Sequence, residues 1–108
     1  MDIHHLRAFR EVAREASFTR AAQNLHCAQS TVTQQIKSLE AHLGAELFHR
    51  HGRRATRLTD AGALLMPIAQ HLLDTVEAAD HQFRSVLAAR ASMPLLRHSF
   101  AARNRAGV

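Results

Sequence analysis

One cysteine, Cys27, is the whole thiol complement of the chain. It excludes an internal disulfide and any multi-cysteine metal cluster, and leaves Cys27 as a small apolar residue in a turn. No stretch is apolar for long enough to span a bilayer, and no charged start followed by an apolar run suggests export, so a soluble cytoplasmic protein with no membrane partner is expected. Equally absent are a glycine-rich phosphate loop, a pair of carboxylates in an apolar setting and a nucleophile with a placed base. Catalytic residues are therefore not expected, and neither is an enzyme. Nine histidines (His4, His5, His26, His42, His49, His51, His71, His81 and His98) are scattered, with no carboxylate or second thiol at ligand spacing. No metal and no cofactor is expected. His49 and His51 are expected to share one face of a strand.

What the chain does have is a patterned stretch from residue 17 to residue 62. Ser17 can cap a helix running through Thr19, Ala21, Ala22 and Leu25, and its small alanines permit close approach of a crossing helix. Phe18 reads as core. After a short turn, Val32, Ile36, Leu39 and Leu43 recur at steps of four, three and four and mark one buried helical face. On the other side Ser30, Thr33, Gln34 and Lys37 form a polar stripe with Gln29 just ahead of it, and Ser30 is a candidate cap. Amides and hydroxyls at such spacing suit a groove, because an amide can pair bidentately with adenine and hydroxyls adapt to bases or phosphates. A short helix, a tight turn and a second helix with an outward polar stripe is the arrangement that seats a recognition helix in the major groove.

Gly44 then supplies a helix stop, and residues 47–51 and 55–58 read as two short strands around Gly52-Arg53-Arg54. Arg50, Arg53, Arg54 and Arg57 fall within eight residues and concentrate positive charge on a hairpin that can reach phosphates or a minor groove. Ahead of the motif, Ile3, Leu6, Phe9, Val12, Ala13 and Ala16 form the apolar stripe of a scaffold helix. Its Arg7, Arg10 and Arg14 are expected to pair with Glu11 and Glu15.

Behind the hairpin, Thr59 can cap a long helix with Asp60 in its first turn. Leu65, Ala69, Leu72, Val76, Ala79, Phe83 and Val86 follow alternating steps of four and three, the heptad pattern of a helix that packs along another helix, and predict dimerisation. Leu64, Ile68, Leu73 and Leu87 lie beside this seam and can dock the helix on its own domain. Pro67 removes one backbone donor inside the helix and predicts a bend.

The charge is unevenly distributed: residues 1–58 carry a net +4, residues 59–90 a net −2 and the last 18 residues a net +3. Basic character belongs to the first segment and the tail, and an acidic second segment suits a protein interface better than DNA.

Taken together, Ser17-Phe18-Thr19-Arg20-Ala21-Ala22, Gln29, Gln35-Ile36, Leu39-Glu40, Leu43-Gly44, Leu47-Phe48, Arg50 and Leu58-Thr59-Asp60-Ala61-Gly62 resemble the amino-terminal domain of the LysR-type transcriptional regulators. The resemblance covers roughly residues 1 to 90. It departs from the family at Ala28 and Ser30, where Ser and Pro are usual, at Gln34, where Arg or Lys is common, and in a hairpin about one residue longer. The fold it implies is mainly α, a winged helix-turn-helix of three helices plus a two-stranded wing (1–58), followed by a long linker helix (59–90). Residues 91–108 read as a poorly ordered tail. Such linker helices pair antiparallel, and the family's inducer-binding domain has no counterpart here, so no small-molecule inducer is expected.

The expected function is a sequence-specific regulator that binds double-stranded DNA as a homodimer. Gln29, Ser30, Thr33 and Gln34 are the candidates for base contacts. Ser17, Thr19, Thr31, Lys37, Arg50, Arg53 and Arg54 are those for the backbone or minor groove. The alternative is a protein-interaction module that heterodimerises with a full-length regulator through the linker helix.

Overall fold

The computed structural model describes residues 1–49 and 56–92. Four helices and a two-stranded sheet follow in the order α1 (Ile3–Glu15), α2 (Phe18–Asn24), α3 (Gln29–Leu43), β1 (Phe48–His49), β2 (Arg57–Leu58) and α4 (Asp60–Ala91). The winged helix-turn-helix and the long helix behind it are thus present in the expected order. Residues 50–55, with them Arg50, His51, Arg53 and Arg54, lie outside the described residues, as do residues 93–108 of the expected tail.

Each helix boundary has a local cause. At α1 the Asp2 carboxylate accepts from the His4 backbone N–H at 2.7 Å, and the helix ends at Ala16 in the left-handed region (φ 52°). At α2 the Ser17 hydroxyl accepts from Arg20 N at 3.1 Å, as its sequence position predicts. At α3 the expectation fails: the N-cap is Ala28, in extended conformation and without a side-chain cap bond. Ser30 lies inside the first turn. The preceding turn, with His26 at φ 56°, delivers the chain into the helix two residues early for a Ser30 cap, and Ala28 O accepts from both Thr31 N and Val32 N. Gly44 closes α3 at φ 69°, and the Thr59 hydroxyl caps α4 by accepting from Gly62 N at 3.1 Å.

The three short helices pack mutually around Phe9, Val12, Ala21, Val32, Ile36 and Leu39, all without exposed surface. Leu43, expected in this core, is instead 36% exposed, in the last turn of α3 at the edge of an open apolar groove. Three rings tie the hairpin to the helices. Phe48 on β1 meets Phe9 at a centroid distance of 5.4 Å and Phe18, edge-on, at 5.7 Å, separations at which aromatic pairs attract beyond their buried area. Phe18 is therefore a packing residue. Between α1 and α2, the Asn24 amide donates to both Glu11 and Glu15 at 2.8 Å, so the carboxylates expected to serve the arginines of α1 brace the helix crossing.

Strands β1 and β2 are antiparallel, with Phe48 opposite Leu58 and His49 opposite Arg57. Their base is held by main-chain bonds reinforced from α3. Glu40 accepts from Leu47 N at 2.7 Å, Leu47 O accepts from Thr59 N at 3.0 Å, and Thr56 N reaches Ala16 O at 3.2 Å. The Thr59 hydroxyl also donates to Glu46 O at 2.5 Å.

Two compact units divide the chain, residues 1–73 and the remainder from Asp74. The first extends beyond the expected boundary at residue 58, because the first half of α4 belongs to the winged-helix core. Leu65 and Ala69, expected at a dimer seam, are buried in that core together with Leu73. The apolar side chains that α4 leaves exposed are Leu64, Ile68, Leu72, Val76, Phe83, Val86 and Leu87. Leu73 does dock the helix on its own domain, whereas Leu64 and Ile68, in the same unit, stay exposed.

Candidate nucleic-acid interface

The outward face of α3 is built by subtraction. Val32, Ile36 and Leu39 turn one side of the helix fully into the core, and the rigid helical period then dictates what remains outside. Gln29, Ser30, Thr31, Gln34 and Lys37 are exposed, and Thr33 is half-buried at the edge of the stripe. Every candidate base-contact residue therefore lies on one turn-and-a-half of helix surface. Because Ala28 brings no capping oxygen, the first N–H groups of α3 receive no side-chain cap bond, and a helix start of this kind attracts anionic oxygen.

Helix α2 delivers two more candidates beside that surface. The Ser17 hydroxyl is used as the α2 cap and is half-buried. Thr19 is exposed, and its hydroxyl donates to Gln29 Oε1 at 3.0 Å across the turn between the helices. Exposed Arg20 stands next to it and Arg57 is exposed on β2. Arg20 is not among the contact candidates named from the sequence; its place in the first turn of α2, one residue from Thr19, is the available signal. The Thr19–Gln29 bond had no signal at all, since ten residues and a turn separate its partners.

Of the described residues, no group of three His, Cys, Asp or Glu side chains could hold a metal ion. Cys27 is a half-buried free thiol packed against the core. No described helix is long and apolar enough to cross a membrane.

A three-helix core, a two-stranded wing and an exposed polar helix face define a winged helix-turn-helix of the DNA-binding kind. Residues 3–63 match the family described as bacterial regulatory helix-turn-helix protein, lysR family, and the chain belongs to that family. It is 47% identical over 79 residues to the HTH-type transcriptional regulator HdfR of Escherichia coli O139:H28, a match covering 73% of this chain and 28% of the relative. HdfR of Shigella boydii serotype 18 matches to the same extent. The chain thus spans little more than a quarter of the length of these relatives. Among solved structures, the BenM DNA-binding domain in complex with catB site 1 DNA superposes with a TM-score of 0.75 at 36% identity, covering 80% of this chain and 96% of that one. The CbnR DNA-binding domain bound to DNA gives 0.73 at 31% identity, covering 80% and 98%. Full-length OxyR from Pseudomonas aeruginosa gives 0.74 at 32% identity, covering 79% and 28%.

Proposed function

We propose that this chain is a sequence-specific duplex-DNA-binding module that regulates transcription as a homodimer, with α3 in the major groove and the wing at the neighbouring minor groove. The observation that carries this reading is the α3 face: Gln29, Ser30, Gln34 and Lys37 exposed opposite fully buried Val32, Ile36 and Leu39. Base edges are read by amides and hydroxyls on such a face, while Thr31, Lys37 and the wing arginines Arg50, Arg53 and Arg54 neutralise phosphate. It is a binding chemistry, with no catalytic step. Selection from a randomised duplex pool at near-physiological salt tests it. The expected product is two inverted half-sites spaced to match the two copies of a dimer. If the dimer neutralises about eight phosphates, log affinity falls against log salt with a slope of about −7, and a slope near zero rejects the proposal.

Dimerisation is supported by the face that α4 leaves uncovered. Along one helix the exposed apolar residues Leu64, Ile68, Leu72, Val76, Ala79, Phe83 and Leu87 are spaced almost symmetrically about the Thr75–Val76 bond. An antiparallel second copy centred there sets Ile68 against Phe83, Leu64 against Leu87 and Leu72 against Ala79. Leu43, Leu64 and Ile68 also border an open apolar groove of about 200 Å³ on the winged-helix unit, which a phenylalanine from the second copy can occupy. Ile68→Glu and Phe83→Lys should each shift the sedimenting species to monomer. Combined in one chain they should restore the dimer, because each new glutamate then meets a new lysine. A double variant that stays monomeric rejects this register.

The same exposed face supports a second reading, an interaction module that pairs with a full-length regulator. Under the DNA reading Arg53→Ala with Arg54→Ala removes function, whereas under the second reading Leu72→Glu with Val76→Glu does so and the arginine variant is tolerated.

A further inference from the structure

The hydroxyl of Thr19 on α2 donates its proton to Gln29 Oε1 on α3, and both residues are exposed beside the recognition face. Two consequences follow from the direction of this bond. A threonine hydroxyl has a single proton, so the one held by Gln29 is not offered to a phosphate oxygen. The Gln29 oxygen keeps a second lone pair, but its bond aims it at α2, and the opposite corner of the amide is the NH₂, which only donates.

Taking duplex DNA as the partner proposed for this face, we propose that Thr19 is a positioning residue that makes Gln29 a hydrogen-bond donor in the major groove, so that Gln29 selects a keto base, guanine or thymine, over adenine. A free glutamine reads adenine through two bonds, its NH₂ to N7 and its oxygen from the N6 amino group. With the oxygen aimed at Thr19, the amide no longer sets both its groups toward the adenine edge, and the second bond is lost. Guanine offers two acceptors side by side, N7 and O6, and thymine offers O4, all of which accept from the amide NH₂. Cytosine presents an amino donor to a donor and is disfavoured. The turn between α2 and α3 therefore helps to set the base preference without itself touching a base.

The test uses the whole chain and four proteins: wild type, Gln29→Ala, Thr19→Val and Thr19→Ser. Each is selected against a randomised duplex pool, then measured by competition on duplexes that differ at the one pair per half-site whose preference Gln29→Ala abolishes. Wild type should favour guanine or thymine over adenine there by about tenfold, the scale of one mismatched pair. Thr19→Val keeps the side-chain shape, frees the amide to turn, and should raise adenine to parity or above. Thr19→Ser restores the donor and should restore the keto preference. The salt slope should not change in either Thr19 variant. Circular dichroism melts of the variants, at an exposed site, should match wild type. A wild-type preference for adenine at that pair overturns the proposal, as does Thr19→Val weakening all sequences equally with a shallower salt slope, which is the signature of a phosphate contact. Wild-type chain that binds no duplex rejects the DNA reading itself; binding with a preference that Thr19→Val leaves unmoved rejects only the role of Thr19.

Discussion

Gly62→Ala should destabilise the winged-helix unit although it replaces a glycine inside a helix. In an open helical site the change is favourable by about 1 kcal/mol, from helix propensity and from the reduced freedom of the unfolded chain. Here a Cβ at position 62 would stand 2.2 Å from the Leu47 carbonyl oxygen, 3.2 Å from its carbon and 2.8 Å from Leu58 Cδ2. Leu58 can turn aside, but the Leu47 carbonyl cannot easily do so. Its oxygen accepts from Thr59 N, and the amide of the same residue donates to Glu40. Moving it apart by about 1 Å sacrifices main-chain bonds worth about 1 kcal/mol each, on top of an overpacking cost of about 1–3 kcal/mol. Set against the propensity gain, the net loss is about 2 kcal/mol, or a fall in Tm of roughly 8–16 °C for a unit of this size. Urea unfolding followed by far-ultraviolet circular dichroism, at one fixed protomer concentration because association adds stability, measures it. A variant as stable as wild type, with an unchanged m-value, would refute the close approach of α4 to the hairpin base.

Three other outcomes are expected. Glu40→Ala should cost about 1.5–3 kcal/mol, since it strips a charged acceptor from the N–H of the buried Leu47; unfolding measurements showing a loss under about 0.5 kcal/mol would be incompatible with that bond. Ala16→Gly should raise stability by about 0.5–1 kcal/mol, because Ala16 stands in the left-handed region at φ 52° where a Cβ is penalised, and thermal melts that fall would argue against it. The backbone N–H of His4 holds the Asp2 carboxyl below its ordinary value of 3.8, with His5 and His4 adding to the effect. A depressed folded value means that the Asp2 contribution is present above pH about 3.8 and is lost as pH falls through the lowered value. Asp2→Asn should therefore flatten the acid limb of the stability profile below that point and leave its shape near neutrality unchanged; identical acid limbs would contradict the cap.

Much of this protein can be read directly in one dimension. The apolar steps Val32, Ile36 and Leu39 predict which face of α3 is buried, and by complement which polar residues face outward, because a helix repeats every 3.6 residues whatever surrounds it. Ser17, Gly44 and Thr59 mark helix ends by chemistry confined to three or four neighbouring residues. Wherever the answer depended on what lay across a gap, local pattern was insufficient. The heptad steps on α4 are real, but they do not say which neighbour each apolar residue meets. Leu65, Ala69 and Leu73 are consumed by the core of their own domain, and the uncovered face is rotated toward Leu64, Ile68 and Leu72.

The cap of α3 shows the same division. Ser30 has the right side chain, yet the turn geometry set by His26 and Cys27 starts the helix at Gln29, so Ala28 occupies the cap position.

By itself the sequence determined the order of elements, the polar face of α3, the basic character of the first segment and the apolar character of α4, since each arises from periodicity and side-chain chemistry within a few residues. Tertiary structure alone decided that Glu40 anchors the wing at Leu47, that Asn24 bridges Glu11 and Glu15, that Gly62 must lack a side chain and that Thr19 holds the oxygen of Gln29. The physical reason is range. Each of these bonds or close approaches joins groups brought together only when separate helices and strands pack, and no periodicity in the chain encodes the crossing that brings them within 3 Å.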